Sequence, residues 1–566
     1  MSNIDHNMML YRMGEGSIGG KARGLAFLNS IIVSRNLSNV YKNITVKIPK
    51  TVFIGTDYFD DFIAMNSLQD AATGTYTDAE IFTRFINAHL PQQLMWNLRA
   101  YLTAVSKPLA VRSSSKLEDS YYQPFAGIYA THMVPFTTYT EKFLADVSDA
   151  IKAVYASVFM QESKAYIEAT SNVIDEEKMA VVLQEVCGNS SGNMQYPLIA
   201  GVIRSVNFYP VGPEKAEDGI VSMAVGLGKY VVDNEPSLRF SPACPLSALQ
   251  GYSADSVLKE SQKYFYALDT DSTAYRIDPD EKKNFIRVKL KEASDAAKSL
   301  AVSVYDPGNQ MITDMPYAEG TPVVTFSKLF RNNDLNFTQL LSDLIQMGKE
   351  EMNSDVELEF ALEEDAEKKG NYIFNLLQIR PVGTVGAGVN VEVDVAPDQC
   401  ILYSRQSLGN GIFEGITDVV YVKTESFDPS SNAQLAVEIE RINHEMKQQK
   451  RSYVLIGPGR WGSSDPWLGI PVKWSQISEA SVIAEIGLDN YPVEPSQGTH
   501  FFQNITTFCI GYMIVSPQFP ESIFDHRYLG SMKPVSESEH IRQIRFPKPL
   551  RIIIDGRKNT GAIVKP

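Results

Sequence analysis

DVELEFALEE at 355–364 and YIFNLLQIRPV at 372–382, joined by a polar turn, read as an antiparallel β-hairpin. Side chains alternate along a strand, so Val356, Leu358 and Phe360 share one face and Glu357 and Glu359 the other. On the second strand Gln378 and Arg380 sit together, opposite Leu377 and Ile379. Pairing the strands brings two carboxylates towards an amide and a guanidinium. Carboxylates on one face repel unless a cation lies between them, and Mg²⁺ favours oxygen ligands shared with substrate phosphates. The alternative is an amphipathic edge hairpin with a solvated polar face.

Outward from the hairpin, the chain punctuates itself. MGEGSIGGKARGLAFLNSII (13–32) is a glycine-rich turn entering an apolar-periodic helix. ITVKIPKTVFI (44–54) reads as strand, a helix-rich stretch runs to about 105, and FLADVSDAIKAVYASVF (143–159) has helical spacing. MAVVLQEV (179–186), LIAGVIRSV (198–206) and GIVSMAVGLG (219–228) are strands of a mixed sheet. Pro381 and the glycines of VGTVGAGVN (382–390) mark a linker. Beyond it come the strand-rich 401–422, a helix at 433–449, and YVLIGPGRWGSSDPW (453–467), a strand breaking into a Gly/Pro loop.

At 566 residues the chain is too long for one core. With 52 basic and 67 acidic residues its net charge is −15, which argues against a general nucleic-acid or anionic-membrane binder. The cysteines, Cys187, Cys244, Cys400 and Cys509, are far apart and form no CxxC pair, the pattern of reduced thiols in a cytoplasmic protein. No signal peptide or membrane-spanning run is visible, so a soluble protein is expected.

Two further stretches carry anion chemistry. GGKARG (19–24) lets backbone N–H groups approach an anion at a helix start, with Lys21 adding charge; the alternative, and on this stretch alone the better reading, is a helix entry with a surface lysine. LAVRSSSKLEDS (109–120) ends a strand in Arg112 and three serines, donors suited to phosphate or simply to a solvated turn.

Taken in order, GGKARGLAFL, LAVRSSSKLEDSYYQPFAGIYAT, MAVVLQEV, GLGKYVV, VELEFAL and LLQIRPV resemble the nucleotide-binding domain of the phosphoenolpyruvate synthase and pyruvate phosphate dikinase family. Rifampicin phosphotransferase uses the same domain. The resemblance spans about 13–385 and implies fold class α/β (α+β): a two-lobed ATP-grasp domain at 1–385, then a smaller swivelling α/β domain at 395–566. It implies that Lys21 and Arg112 hold the ATP triphosphate, with Gly127 and Thr131 along the phosphate-covering loop. Gln184 would sit at the adenine side, Glu357 and Glu359 would hold Mg²⁺, and Gln378 and Arg380 would complete the phosphate site. Arg112 and its serines would then face phosphate.

The second half is similar to the family's carrier domain, in which a histidine takes phosphate from ATP. PSQGTHFFQNITTFCIGYMIV puts His500 in that place. The family usually separates Thr and His by one residue and follows with two small residues. Here Thr499 directly precedes His500, and Phe501 and Phe502 follow. A histidine buried in an aromatic cluster is the alternative. The family's pyruvate-binding barrel, typically about 250 residues, has no room after His500. The reading is therefore an ATP- and Mg²⁺-dependent phosphotransferase whose acceptor, on another domain or protein, is unknown. The alternative is a catalytically silent ATP-binding regulatory module.

Overall fold

The computed structural model describes residues 9–566 apart from 116–117, 119–126, 170–176, 209, 211–212, 234, 247–257, 259–260, 310, 315–319, 332–334, 383–391, 426, 464, 466, 490, 492, 494–500, 502–504, 506–509, 518, 520 and 557. Two compact units emerge. One comprises Met1–Asn207, Gly212–Val232 and Pro236–Val382; the other comprises Gly383–Pro566 with Phe208–Val211 and Asp233–Glu235.

Two sheets frame the first unit. The first contains β1 (Leu10–Met13), β3 (Thr51–Ile54), β4 (Leu109–Ser115), β5 (Thr131–Val134) and β6 (Met179–Glu185), in the order β1-β3-β6-β4-β5. The second contains β2 (Ile44–Lys47), β7 (Ile199–Arg204), β8 (Ile220–Ala224), β9 (Leu238–Phe240), β10 (Val356–Glu364) and β11 (Tyr372–Pro381), in the order β9-β8-β7-β10-β11-β2. The strand signals at 44–54 resolve into two strands in different sheets. Pro49 lies between them, and without an N–H it cannot extend a ladder. Helices Thr56–Met65, Asp78–Ile86 and Gln92–Leu102 fill the helix-rich stretch.

The hairpin β10–β11 forms as expected but is not an edge. β10 lies between β7 and β11, antiparallel to both. Val356, Leu358, Phe360 and Leu362 enter one apolar core with Phe374, Leu376 and Ile379. Those last three do not alternate evenly, because the register shifts between Glu359 and Phe360: Glu359 faces Gln378 while Phe360 faces Leu376. This bulge flips the parity of β11, so Ile379 keeps to the core while Gln378 and Arg380 stand opposite Glu359 and Glu357.

Helix α1 (Gly19–Ser34) buries Ala22, Leu25, Leu28, Ile31 and Ile32 on one stripe. Its N-cap residue, Ile18, offers no side-chain oxygen. Ser114 of β4 supplies one instead: its hydroxyl accepts from the Ala22 N–H at 3.1 Å and donates to the Ile18 carbonyl at 2.8 Å. The approach is so close that a Cβ on Gly19, at φ 77°, would overlap the Ser114 carbonyl.

The second unit has a seven-stranded sheet containing β12 (Gln406–Leu408), β13 (Asp418–Val422), β14 (Tyr453–Pro458), β15 (Ala480–Ile486), β16 (Gly511–Val515), β17 (Pro534–Glu537) and β18 (Ile541–Arg545). Its order is β12-β16-β15-β14-β13-β18-β17, and β13 to β16 run parallel. Helix α2 (Asn432–Gln448) links β13 to β14 and buries Leu435, Ala436, Ile439, Ile442 and Met446. A five-stranded sheet includes the antiparallel pair Ile552–Asp555 and Thr560–Val564. Among the described residues no helix is long and apolar enough to cross a membrane.

Candidate functional site: a polar network between two sheets

Arg112 leaves β4 near the middle of the first sheet, where Thr131 on β5 and Val182 on β6 are its register partners. Its guanidinium reaches the second sheet. Nη1 donates to the Gln184 Oε1 and to the Leu377 carbonyl, both at 3.1 Å. Nη2 donates to Gln378 Oε1 at 2.9 Å and to Glu359 Oε2 at 3.2 Å. Leu377 is the residue displaced by the bulge, and its carbonyl is thereby aimed at Arg112. Gln184 is itself oriented by Thr51, to whose hydroxyl its amide donates at 3.2 Å. Arg112, Gln184, Glu359 and Gln378 thus form one hydrogen-bonded group.

Beside it on the second sheet, Glu357 is the register partner of both Arg204 and Arg380. Its carboxylate is nearly inaccessible, with 1% of the side chain exposed. Oε2 accepts from Arg204 Nε at 3.1 Å and also from Arg204 Nη2. Oε1 accepts from Arg380 Nε at 2.9 Å and also from Arg380 Nη2. Burial alone would push this carboxyl up, but the Arg380 and Arg204 charges outweigh it and hold the group at about 2. Glu359, with 18% of its side chain exposed, has one ion pair among the described residues, to Arg112.

Lys21, in the first turn of α1, is no surface lysine. Its ammonium donates to Ser113 Oγ at 3.0 Å and to Glu118 Oε1 at 2.5 Å, and Glu118 is buried. Glu118 also accepts from the Ser113 hydroxyl at 2.9 Å and the Ser115 N–H at 2.9 Å. The three serines are fully buried and tie β4 to α1 and to Glu118, so their hydroxyls are engaged in structure rather than presented to solvent. Gly127 adopts φ 69°, and the Thr131 N–H donates to Glu281 Oε1 at 2.8 Å. His500, together with most of the linker at 382–390, lies outside the described residues. Its neighbour Phe501 is buried, with its ring 5.9 Å from that of Trp474 and against the Gly462 turn.

Arg204 and Glu118 were not singled out from the sequence. Arg204 ends the apolar run LIAGVIR, and a lone charge closing a buried strand is a faint signal for a buried partner. Glu118 belongs to the acidic pair after the serines, which reads as part of a solvated turn.

Clustered cations and amides at the junction of two sheets suit a polyanionic ligand. For a divalent cation, Glu359 fits, keeping oxygen lone pairs, whereas Glu357 has all of its sites taken by guanidinium N–H groups. Among the described residues no three His, Cys, Asp or Glu side chains gather around one point as a protein-only metal cage. No curated protein matches the chain. The family model described as pyruvate phosphate dikinase, AMP/ATP-binding domain, matches residues 15–397. The chain therefore belongs to the pyruvate phosphate dikinase family, its first unit being that family's ATP-binding domain of the ATP-grasp type.

Proposed function

We propose that the chain is an ATP- and Mg²⁺-dependent phosphotransferase, acting in the cytoplasm, that moves phosphate from ATP to His500 for delivery to an acceptor held elsewhere. The nucleotide-binding domain is assigned to 1–385 and the carrier domain, which swivels between sites, to 395–566. The observation that carries this reading is the bonding of Arg112 to Gln184, Glu359 and Gln378, one group assembled from both sheets.

In this reading Lys21, Arg112 and Arg380 lie against the triphosphate, and Gln184 and Gln378 orient Arg112. Gly127 and Thr131 flank the loop that covers the phosphates. Mg²⁺, when bound, neutralises phosphate charge. Removing water and supplying fixed cationic donors is most of what phosphoryl transfer asks of a protein. His500 attacks through a neutral ring nitrogen, which an imidazole with a pKa of about 6.5 offers at pH 7. The N–P bond forms as a P–O bond of ATP breaks, and the nucleotide leaves.

Incubation with ATP labelled at the β or γ phosphate tests this. The expected result is acid-labile, base-stable label on the protein, lost in His500→Ala while that variant still binds ATP. A wild-type protein that binds ATP yet takes up no label is a silent ATP-binding module, and the transfer reading then fails.

A further inference from the structure

Glu357 and Glu359 stand two residues apart on one face of β10, and their spacing alone gives no reason to separate them. Their neighbours do. β7, on the far side of β10 from β11, puts Arg204 directly opposite Glu357 and puts Val202 opposite Glu359. We propose that Arg204 takes Glu357 out of the metal site, so that the divalent cation accompanying the nucleotide is held from this sheet by Glu359 alone. The inference rests on the ATP-binding reading above and narrows its metal site.

A carboxylate offers about four lone-pair sites. At Glu357 each oxygen accepts both Nε and Nη2 of one guanidinium, Arg204 on Oε2 and Arg380 on Oε1. Those contacts use all four. Mg²⁺ demands an oxygen at about 2.0–2.1 Å in near-octahedral geometry. It would have to displace a guanidinium from a carboxylate that is 1% exposed, against two adjacent positive charges. At Glu359 the only side-chain hydrogen bond among the described residues is the 3.2 Å contact of Oε2 with Arg112, and the side chain reaches solvent. Arg204 is thus a positioning residue: it keeps Glu357 turned to Arg380 and fixes Arg380 in the phosphate-facing row.

The test is a Mn²⁺ titration, followed by the electron paramagnetic resonance of free Mn²⁺, with the protein saturated by a non-hydrolysable ATP analogue. Arg204→Met frees Oε2 of Glu357 and leaves the Glu357–Arg380 pair in place. It should bind Mn²⁺ several-fold more tightly than wild type, whereas Arg204→Lys, which keeps a charge on that oxygen, should stay near wild type. Glu359→Gln leaves the buried row untouched and should weaken Mn²⁺ by at least about tenfold, since even outer-shell partners of a metal are worth about 10–100-fold. Should Arg204→Met fail to fold, Glu359→Gln still bears on the inference: a loss below about threefold, far under the 10–100-fold that even outer-shell changes cost, would mean that Glu359 does not hold the metal, and would overturn it. Unchanged or weaker Mn²⁺ binding in a folded Arg204→Met would overturn the inference alone. A wild-type protein that does not bind the analogue even with saturating Mn²⁺ present would overturn the ATP-binding reading with it.

Discussion

Acid should loosen β10 through one carboxyl, and Glu357→Gln should remove that sensitivity. Glu357 remains charged with its residue 2% exposed because two guanidiniums surround it. Its folded pKa of about 2 lies below the ordinary 4.5, a gap worth on the order of 3 kcal/mol. The sign follows from a depressed pKa. This stability is fully present above pH 4.5 and is lost as the pH falls towards 2. Glu357→Gln deletes the charge and leaves two buried guanidiniums facing an amide, a loss of about 3–5 kcal/mol. A chain of two units need not unfold in one step. The suitable readout is therefore hydrogen exchange of the peptides covering Val356–Glu364 and Ile199–Arg204, corrected for intrinsic rates at each pH. Where exchange proceeds by local opening, the variant should exchange at least about a hundredfold faster at pH 7. Wild-type protection should fall between pH 4.5 and 2, and the variant should lack that component. Equal protection at pH 7, or the same acid slope in both proteins, would refute the buried-triad account.

Arg112→Ala should weaken ATP by about 10–100-fold while leaving adenosine nearly unaffected, since hydrogen bonds to a charged group contribute about 1.5–3 kcal/mol. Calorimetry with both ligands checks this, and equal losses would remove Arg112 from the phosphates. Gly19→Ala puts a Cβ onto the Ser114 carbonyl at a backbone of φ 77°, so the start of α1 must shift. A cost of at least about 1–3 kcal/mol should appear as a lower melting temperature, and an unchanged one would contradict the close approach.

The hairpin was the part of the fold most legible in sequence, because β10 alternates apart from Ala361, and Val356, Leu358, Phe360 and Leu362 all reach the core. Its partner was half legible. The adjacent Leu376 and Leu377 mark a break in period 2, but only pairing with β10 turns that break into a bulge. The apolar stretch at 44–54 read as strand without a sheet assignment, because local pattern carries no record of which sheet a strand joins. That choice is made by long-range contacts, β2 with β11 and β3 with β6. The structural partners of the serines after Arg112 were hidden for a related reason. A hydroxyl that caps a helix elsewhere in the chain looks, in sequence, like one offered to a ligand.

The site residues were readable as chemical types, yet their division of labour was not. Arg204 meets Glu357 across a separation of 153 residues, and nothing local to either names the other. Arg112 shows what the geometry adds. A guanidinium has five N–H donors. Four of Arg112's go to Gln184, Leu377, Glu359 and Gln378, and none of these contacts uses Nε. In the reading proposed above, a phosphate would meet Arg112 first at Nε, the donor that these contacts leave out. A tighter, bidentate approach must displace Glu359 or Gln378 from Nη2. If Glu359 holds the cation as proposed, a phosphate that takes its place on Arg112 would release it towards the metal. Nucleotide and metal binding should accordingly be coupled through this one guanidinium, each favouring the other.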